Sequence, residues 1–518
     1  MTTRTIWKRT YMAIMIIAIL GGGYPTAAIA SSQLTIEQKA HTIEQFVQQH
    51  MQASRIPGIS VVIVEKGNTV YQQGFGYADV AANKPVTGNT LFELASTSKA
   101  FTGLAILQLE QEGKLKRTDD VTNIIPWLTL SYKDEPALIT INDLLFHTSG
   151  IPATSIQYYP ESHTEDSLER TVSTLLSQPL NREPGSSYEY ATINYDILGL
   201  VIEQVTKQSF EDYMQQHILQ PLNMNDSIVG VQPSPPAGMA VGYRLRFTKP
   251  SAYTPPIYRG NTPAGYIISN TNDIAKWLNV QLAAEPHPTS EQSAAQPIDP
   301  QLISNSHIPD KSVKPLDKHT YYAAGWAVEQ QSNNKHVIFH AGANPTYSSY
   351  ITMLPEEQIG VAVLANMQSS TTTAISQGVM DIWQGKKPAS QRQPDGMLKL
   401  DQIATSVFFS AGCLVLLCFC LILGLVRKLV RQQRSWVSLY ALTWKRCLFL
   451  VIHIVICATG LFVVINLPNL LLGGMPWSFI NRWSPATIAL TYYSVIGMFS
   501  LYFMYGMLLV FTNKRIGA

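Results

Sequence analysis

The tetrapeptide Ser96-Thr97-Ser98-Lys99 stands at the start of an apolar run, Lys99 to Glu112, that predicts a buried helix. Residues three positions apart share one face of a helix, so the Lys99 amine can reach the Ser96 hydroxyl. A serine hydroxyl is a weak nucleophile until a base removes its proton. The pair supplies both groups, and it predicts an enzyme that transfers acyl groups through a serine.

The tetrapeptide is also compatible with an ordinary helix start. A chain of this length contains roughly two Ser-x-x-Lys matches by chance. An exposed helix start would use Ser96 as its N-cap and leave Lys99 in water. A lysine base is also costly at neutral pH, because free lysine has a pKa of about 10.4. Burial or neighbouring groups must therefore assist Lys99, and a second proton carrier is expected.

Two further stretches offer groups for such a reaction. Tyr190 lies in an aromatic and polar run before a predicted helix and can present its phenol to Ser96. The alternative is a half-buried packing tyrosine. His340-Ala341-Gly342 ends a predicted strand, where the glycine would let a substrate backbone pair with the strand edge. The alternative there is a surface histidine, and His147 is interpreted as a turn anchor rather than a base.

Several classes of site are disfavoured. The chain has no His-Glu-x-x-His run, no Cys/His ligand cluster and no phosphate-binding loop, which predicts no metal and no cofactor. A formal net charge of +2 argues against a nucleic-acid partner. The cysteines all lie in or beside C-terminal apolar segments, which excludes a disulfide scaffold in the rest of the chain. They are Cys413, Cys418, Cys420, Cys447 and Cys457.

Residues 1–30 have the pattern of a secretory signal peptide. Basic residues near the start, Arg4 to Arg9, precede an apolar run from Tyr11 to Leu20, and Ala28-Ile29-Ala30 offers a cleavage site. An uncleaved membrane anchor is the alternative. The export signal predicts a folded domain outside the cytoplasm, at residues 31–385.

The C-terminal part, residues 404–518, contains three apolar segments long enough to cross a bilayer, at about 405–426, 447–470 and 486–511. Basic residues crowd the first connection, Arg427 to Arg446, whereas the second connection carries only Arg482. Basic loops stay in the cytoplasm, so the exported domain would face the periplasm or the cell exterior and the C-terminus the cytoplasm. A polar linker, residues 386–403, would join the domain to a bacterial cytoplasmic membrane.

Strands are expected at both ends of the exported domain and helices between them. A β-hairpin is predicted from Pro57 to Gly76. Ala283 to Lys314 is rich in Pro, Ser, Gln and Ala and is predicted to be a surface loop. This order predicts an α+β fold, an antiparallel sheet with an inserted helical subdomain. The later strands are expected in Gly325 to Gln330, Val337 to His340, Ser348 to Leu354 and Ile359 to Ala365.

Four motifs occur in an order that resembles the serine β-lactamase and penicillin-binding-protein superfamily, on the branch of class C β-lactamases and their esterase and peptidase relatives. They are Phe92 to Lys99, Leu144 to Gly150, Tyr190-Ala191-Thr192 and His340-Ala341-Gly342. The resemblance implies a β-lactamase-like antiparallel sheet flanked by helices, with an all-helical subdomain. It implies Ser96 as the acylated nucleophile, Lys99 and Tyr190 as proton-transfer partners, and an oxyanion hole from the backbone N–H groups of Ser96 and Ala343.

Two departures from the family pattern bear on the substrate. His340-Ala341-Gly342 stands where the family often has Lys-Thr-Gly, which removes a cation that helps to hold a substrate carboxylate. This change argues against an efficient β-lactamase or a transpeptidase. Tyr190-Ala191-Thr192 stands where the family has Tyr-x-Asn, and a threonine hydroxyl lacks the two-sided reach of an amide.

The signal peptide, the family domain and the three C-terminal membrane helices together resemble the membrane-bound D-asparaginyl peptidases of nonribosomal peptide–polyketide pathways such as that of colibactin. Those enzymes remove an N-acyl-D-asparagine cap from an exported prodrug. The resemblance implies that Glu93, Thr192 and Asn344 grip the D-asparagine side chain. Further substrate-binding candidates are His340, Gly342 and Asn261.

The resulting hypothesis is a membrane-anchored serine peptidase that hydrolyses the amide after an N-acyl-D-asparagine cap through an acyl-enzyme on Ser96. Its partners would be an acylated peptide or polyketide prodrug and the lipid bilayer. An exporter is a further candidate partner, and a homodimer is one option for the oligomeric state. Alternatives within the family are a D-Ala-D-Ala carboxypeptidase, an esterase or a weak β-lactamase. An alternative of another class is a non-catalytic membrane-bound binding or sensing protein.

Overall fold

The structure is a computed structural model. It describes residues 35–230, 234–283, 298–331, 335–388, 395–471 and 473–515. The signal peptide proposed for residues 1–30 lies outside the described residues, as does part of the predicted Ala283 to Lys314 loop.

The central element is an antiparallel sheet of eight strands in the order β11-β12-β13-β14-β15-β1-β2-β3. The domain before the C-terminal bundle is named the exported domain here after its predicted location, which stays a prediction. Strands from both ends of this domain meet, because β1 pairs with β15 from Ile59 opposite Ala365 to Glu65 opposite Ile359. This confirms the predicted hairpin and late strands. The strands are β1 (Gly58–Glu65), β2 (Asn68–Asp79), β3 (Lys84–Pro85), β4 (Phe92–Glu93), β5 (Ser131–Tyr132), β6 (Glu135–Pro136), β7 (Ile228–Val229), β8 (Tyr243–Arg246), β9 (Lys249–Ala252), β10 (Ile267–Ser269), β11 (Thr320–Tyr322), β12 (Ala327–Gln330), β13 (His336–Ala343), β14 (Ser348–Leu354), β15 (Ile359–Ala365), β16 (Arg434–Trp436) and β17 (Thr512–Lys514).

Helices cover both faces of the sheet and also form the C-terminal bundle. Most helices of the exported domain lie between β2 and β11 in the chain, as an inserted helical subdomain requires. They are α1 (Ile36–Ser54), α2 (Lys99–Gln111), α3 (Ile141–Leu145), α4 (Ser167–Ser173), α5 (Ile193–Thr206), α6 (Phe210–Met214), α7 (Thr262–Gly265), α8 (Thr271–Leu282), α9 (Pro300–Ser306), α10 (Thr371–Trp383), α11 (Gly396–Val430), α12 (Trp444–Ile465), α13 (Leu467–Leu471), α14 (Trp477–Trp483) and α15 (Ala486–Val510).

The sheet divides the apolar core into two parts. Successive side chains of a strand point to opposite faces, so Val62 and Val64 of β1 enter one core and Val61 and Ile63 enter the other. The first core contains residues of α2, α5 and α8, and the second contains residues of α1 and α10. Both faces of β1, β14 and β15 are buried, which explains their nearly continuous apolar sequences. The α+β expectation is confirmed.

Two expectations about loops differ from the structure. Helix α9 lies inside the stretch predicted as a loop, where Asp299 caps its first turn and Leu302 and Ile303 are buried. The sequence did not predict this helix, because its seven residues lie in a stretch of low complexity and are too few to show a helical pattern. Helix α11 begins at Gly396, inside the segment predicted as a polar linker. Asp395 caps it by accepting a hydrogen bond from the Leu398 N–H at 2.8 Å.

Three helices among the described residues, α11, α12 and α15, are long and apolar enough to cross a membrane. The β8–β9 hairpin of the exported domain lies against two of them. Its two-residue turn, Phe247-Thr248, has positive φ angles of 49° and 63°, as a type I′ turn requires. The Phe247 N–H donates to Thr487 Oγ1 at 2.7 Å, and the Thr248 N–H donates to Asp401 Oδ2 at 2.6 Å. The exported domain is therefore held to the bundle through defined polar contacts.

The other end of the bundle is basic. Strands β16 and β17 pair there and bring the first connection beside the C-terminal segment. Arg434 and Arg446 donate hydrogen bonds to backbone carbonyls near the end of α15. The basic connection and the exported domain thus lie at opposite ends of α11, which spans 35 residues.

Replacement of Trp277 tests the core that supports helix α2. The Trp277 ring is fully buried and stacks on Phe101 with ring centroids 3.9 Å apart. We expect Trp277→Ala to lower the free energy of unfolding by about 3 to 5 kcal/mol, because it leaves a cavity in the core. Thermal melting of the purified full-length protein would measure the loss. Trp127→Ala is the matched control, since Trp127 is 36% exposed, and equal melting temperatures for the two variants would contradict the assignment of the core.

Candidate active site

Ser96 lies in a single turn of 3-10 helix, Ala95–Ser98, that leads into α2. Ala95 has a φ of +50°, a left-handed conformation that costs a residue with a Cβ atom about 1 kcal/mol or more. Two hydrogen bonds anchor the turn: Thr97 Oγ1 and Ser349 Oγ both donate to the Leu94 carbonyl, at 2.8 and 2.5 Å. The strained and anchored turn presents the Ser96 hydroxyl at the start of the buried helix.

Lys99 is completely buried in the first turn of α2. Its Nζ donates to Ser96 Oγ at 3.2 Å and to the carbonyl of Ala264 at 2.8 Å. The Ala264 carbonyl belongs to helix α7. A second hydrogen bond joins α7 to α2, since Thr102 Oγ1 donates to the neighbouring Pro263 carbonyl at 2.7 Å. The structure thus brings the predicted nucleophile and amine together and excludes the solvated Lys99 of an ordinary helix start.

Tyr190 borders the same buried amine. Lys99 Nζ lies 5.2 Å from the centroid of the Tyr190 ring and 5.8 Å from that of Tyr195. His147 packs against Tyr190 with ring centroids 4.4 Å apart, and its Nδ1 accepts from Asn194 Nδ2 at 3.0 Å. His147 is fully buried and its backbone carbonyl accepts from the Glu189 N–H at 2.9 Å, as a turn anchor would. Tyr190 therefore borders the Ser96–Lys99 pair, and its role as the second proton carrier stays a prediction.

Ser96 and Tyr190 open onto a cavity of about 410 Å³. Its wall is formed by the helical subdomain, by β12 and β13 and by one residue from the C-terminal bundle. The lining residues are Ser96, Ile156, Tyr188, Tyr190, Thr192, Asn261, Ala264, Gly265, Leu316, Tyr322, Ala327, Phe339, His340, Ala341, Gly342, Ala343, Asn344 and Trp483.

Strand β13 forms one side of the cavity. It was expected to be an edge strand, but it pairs with β14 along its length and with β12 only as far as Phe339 opposite Ala327. The half that carries His340-Ala341-Gly342 has no partner strand on the β12 side within the described residues. Only this second half offers a free edge to a substrate backbone. Ala343, the predicted second oxyanion donor, ends this half and lines the cavity beside Ser96.

Gly342 is needed for a reason that the sequence did not reveal. A Cβ atom at this position would lie 2.2 Å from Ser349 Oγ and 2.4 Å from the Leu94 carbonyl. The missing side chain therefore lets β13 approach the backbone that carries Ser96. Substrate pairing alone was the expected reason, and close packing of strand against turn is the observed one.

His340 adds no cation to the site. Its Nδ1–H donates to the Ala341 carbonyl at 2.7 Å, and its Nε2 shares a hydrogen bond of 2.9 Å with the Tyr322 hydroxyl. Burial, followed by the nearby charge of Lys99, lowers the pKa of His340 to about 3. The imidazole is therefore neutral near pH 7 and accepts the Tyr322 hydrogen through Nε2.

Glu93 and Asn344 form a buried pair next to the nucleophile turn. Asn344 Nδ2 donates to Glu93 Oε2 at 2.6 Å and to the Gly265 carbonyl at 3.0 Å. Glu93 does not belong to the cavity lining, so it acts on the cavity through Asn344. Burial raises the pKa of Glu93 to about 7, against the opposing effect of the hydrogen bond from Asn344.

Thr192 and Asn261 complete the polar part of the wall. Thr192 precedes α5, and Asn261 is 4% exposed at the turn before α7. The hydrogen bonding assigns the Asn261 amide nitrogen toward the Asp196 carboxylate, at 3.2 and 3.1 Å from its two oxygens. The substrate-binding candidates thus converge on one cavity, except Glu93, which lies behind it.

Known proteins share this architecture. The family model described as Beta-lactamase matches residues 43–378. This chain belongs to the β-lactamase family. Members of this superfamily, which includes penicillin-binding proteins, are serine hydrolases.

Three similar proteins show how far the likeness extends. The protein flp of Staphylococcus aureus strain MRSA252 is 30% identical over 468 residues, 89% of this chain and 88% of flp. That share exceeds residues 1–378, so the likeness includes part of the C-terminal region. Penicillin-binding protein 4* of Bacillus subtilis strain 168 is 26% identical over 328 residues, 60% of this chain and 68% of that protein. The octameric penicillin-binding protein homologue from Pyrococcus abyssi has a TM-score of 0.58 at 27% identity, covering 70% of this chain and 81% of the other.

Sequence reasoning missed Asp196 in this β-lactamase-family site. Asp196 is fully buried in α5, where its Oδ2 accepts from the Tyr159 hydroxyl at 2.6 Å. Burial raises its pKa to about 8, although the Tyr159 hydrogen bond and the charge of Lys99 oppose the rise. A carboxylate amid the apolar residues of α5 was the available signal. Asp196 is therefore mostly protonated near pH 7, and it places a buried carboxyl group near Lys99.

No group of three or more His, Cys, Asp or Glu side chains that could hold a metal ion occurs in the part of the chain that the structure describes. The expected absence of a metal or cofactor stays a prediction. The hydroxyl, amine, phenol and amide groups around Ser96 are sufficient for acyl transfer of the serine-hydrolase type.

A substitution at Gly342 tests the close approach of β13 to the nucleophile turn. We expect Gly342→Ala to slow covalent labelling of Ser96 by an alkyl fluorophosphonate about 100-fold, because the new Cβ displaces the turn. Labelling rates would be compared at equal amounts of folded full-length protein. Gly396→Ala is the control, since no atom lies within 4 Å of its added Cβ. An unchanged rate in Gly342→Ala would show that the packing is loose.

The buried carboxyl of Glu93 predicts a pH-dependent stability. Its pKa is raised from 4.5 to about 7, so the folded protein keeps a proton that the unfolded chain has lost. Stability should therefore fall by about 3 kcal/mol as the pH rises from about 4.5 to about 7. Glu93→Gln cannot titrate, and wild-type melting temperatures should decline relative to this variant over that range. Parallel pH profiles for the two proteins would contradict the prediction.

Proposed function

We propose that the protein is a membrane-anchored serine peptidase that cleaves the amide after an N-acyl-D-asparagine cap of an exported peptide or polyketide prodrug. The observation that carries the proposal is the combination of an acylation centre with an uncharged, amide-bearing wall. Ser96 and Lys99 are joined by a hydrogen bond of 3.2 Å, and Thr192, Asn261 and Asn344 line the same cavity.

The charge of the cavity wall supports an uncharged substrate group. Arginine and lysine are absent from the lining residues within the described part of the chain, and the one histidine, His340, is neutral near pH 7. Recognition of a substrate carboxylate normally uses a cation or a fork of several donors. A carboxamide, in contrast, needs both acceptors and donors around it. Asn344 donates its two amide hydrogens to Glu93 and to the Gly265 carbonyl, so its Oδ1 is preorganised to accept from a substrate carboxamide.

The proposed reaction uses the groups in a fixed order. Ser96 Oγ attacks the carbonyl carbon of the D-asparagine residue while Lys99 or Tyr190 accepts the hydroxyl proton. The backbone N–H groups of Ser96 and Ala343 stabilise the oxyanion. The same proton passes to the leaving amine as the C–N bond breaks. Water then attacks the acyl-enzyme, releasing the N-acyl-D-asparagine acid and restoring the Ser96 hydroxyl.

A second candidate is a D-Ala-D-Ala carboxypeptidase, an esterase or a weak β-lactamase. It is favoured by the relatives from Bacillus subtilis and Pyrococcus abyssi, which are described as a penicillin-binding protein and a homologue of one. The wall of the main cavity weighs against it, because its lining residues include no lysine or arginine to bind a C-terminal carboxylate. Turnover of a chromogenic cephalosporin or a D-Ala-D-Ala peptide would favour this second candidate.

The orientation in the membrane is part of the proposal. The basic connection and the C-terminal strand β17 lie together at the end of α11 away from the exported domain. Basic segments remain on the cytoplasmic side, so the cavity would face the periplasm or the cell exterior. This supports a substrate that meets the enzyme after export. An exporter and a second copy of the chain are proposed partners that this orientation allows.

Matched substrates test the proposed specificity. Full-length protein should hydrolyse an N-acyl-D-asparagine amide and leave the L-asparagine isomer intact, and Ser96→Ala should abolish the reaction. Asn344→Ala should reduce kcat/KM for the D-asparagine substrate at least about 100-fold more than for a D-alanine analogue, because the substrate amide loses its partner. Product release would be followed by chromatography. Cleavage of neither isomer, preference for the L form, or full activity of Ser96→Ala would overturn the proposal.

A further inference from the structure

The C-terminal bundle contributes directly to the wall of the catalytic cavity. Trp483, in the segment between the second and third membrane helices, lines the cavity together with Ser96. A smaller adjoining cavity shares Ile156, Asn261 and Trp483 with the first and adds Phe479 and Arg482 from the same segment. The short helix α14, Trp477–Trp483, therefore forms the boundary of the substrate site on the side of the membrane.

Polar contacts fix α14 on the exported domain. Arg482 Nη1 donates to the Tyr258 hydroxyl at 2.9 Å, and Arg244 Nη1 donates to the Asn481 carbonyl at 2.8 Å. Tyr258 is only 6% exposed, so this contact belongs to the packed part of the domain. Phe479 stacks on Trp483 with ring centroids 5.5 Å apart. The position of the Trp483 ring is thus set by two hydrogen bonds and one stacking contact.

Trp483 lies close to the start of the apolar helix α15 of the bundle. Helix α15 begins at Ala486, three residues after Trp483. Trp477 of the same segment packs against Tyr492 of α15, with ring centroids 4.3 Å apart. Tryptophan and tyrosine side chains concentrate where a membrane meets water. In the proposed membrane orientation, the cavity opens beside the headgroup level, which would accommodate both the polar head of an amphiphile and its apolar chain.

The cavity wall has an apolar part distinct from its amide groups. Ile156, Leu316, Phe339 and Trp483 offer aliphatic and aromatic surface, and the Leu316 side chain is 39% exposed. We propose that this surface is a subsite for an apolar acyl chain on the substrate, with Trp483 of the membrane segment as a specificity-determining residue. The inference deepens the proposed function and rests on it, since the chain would be the N-acyl group of the cap.

Alkyl fluorophosphonates of different chain length test the subsite without requiring D-asparagine. Ser96 Oγ forms a bond to phosphorus while fluoride leaves with the bonding electrons, and the hydroxyl proton goes to the Lys99–Tyr190 pair. We expect the full-length protein in nanodiscs to react at least about tenfold faster with a dodecyl than with an ethyl probe. In Trp483→Ala this ratio of rates should fall to near one. The ratio, rather than either rate, reports the apolar subsite.

Trp477→Ala is the matched control, because Trp477 lies on the same helix but outside the cavity lining, and it should keep the wild-type ratio. Leu316→Ala provides a second variant whose exposed side chain is not needed for folding, and its ratio should also fall. Equal slowing of both probes in Trp483→Ala, or no chain-length preference in the wild-type protein, would overturn the subsite. Absence of labelling at Ser96 would overturn the proposed function as well, whereas a wild-type preference without D-asparagine turnover would overturn only the named cap.

Discussion

The burial of a lysine amine behind a serine hydroxyl is the constraint on which the rest of the site depends. Lys99 has no exposed surface, and its amine is held between Ser96 Oγ and the Ala264 carbonyl. A buried amine is stable only where carbonyls, aromatic rings or carboxyl groups replace water. Helix α7 supplies the carbonyl, Tyr190 and Tyr195 supply the rings, and Asp196 supplies the carboxyl group. The helical subdomain therefore supplies the groups that stabilise this one buried amine.

The same amine explains why the surroundings of the site are neutral. The pKa values of His340 and His147 are both lowered, first by burial and then by the charge of Lys99. A second buried cation near Lys99 would add repulsion to the cost of desolvation. The exchange of the family's Lys-Thr-Gly for His340-Ala341-Gly342 thus leaves Lys99 as the one cation in contact with Ser96 among the described residues. This arrangement is consistent with the proposed substrate, whose recognised group is an uncharged amide.

Much of the fold could be predicted because the signals for its strands and for the Ser96–Lys99 pair lie within short stretches of sequence. Strands β14 and β15 are continuous apolar runs between turns, and Ser96 and Lys99 lie three residues apart on one turn of chain. Interactions across long sequence separations were not predictable in this way. Gly342 meets the backbone of Leu94, and Asp196 meets Asn261 from a different helix. Helix α9 was missed because its seven residues sit in a stretch of low complexity. For Gly342 and Asp196 the determining contact comes from a distant part of the chain.

Trp483 is the clearest example, since nothing in its immediate sequence distinguishes it from an ordinary tryptophan at a membrane surface. Its role follows from two attachments made elsewhere, the β8–β9 hairpin on α11 and α15 and the Arg482–Tyr258 hydrogen bond. These contacts fix the distance between the membrane bundle and Ser96. A flexible tether would let the catalytic domain take substrates from solution at any angle. In the proposed orientation a docked bundle instead presents one opening beside the bilayer surface, and the proposed amphiphilic substrate would keep its apolar chain near the membrane while its polar head reaches the serine.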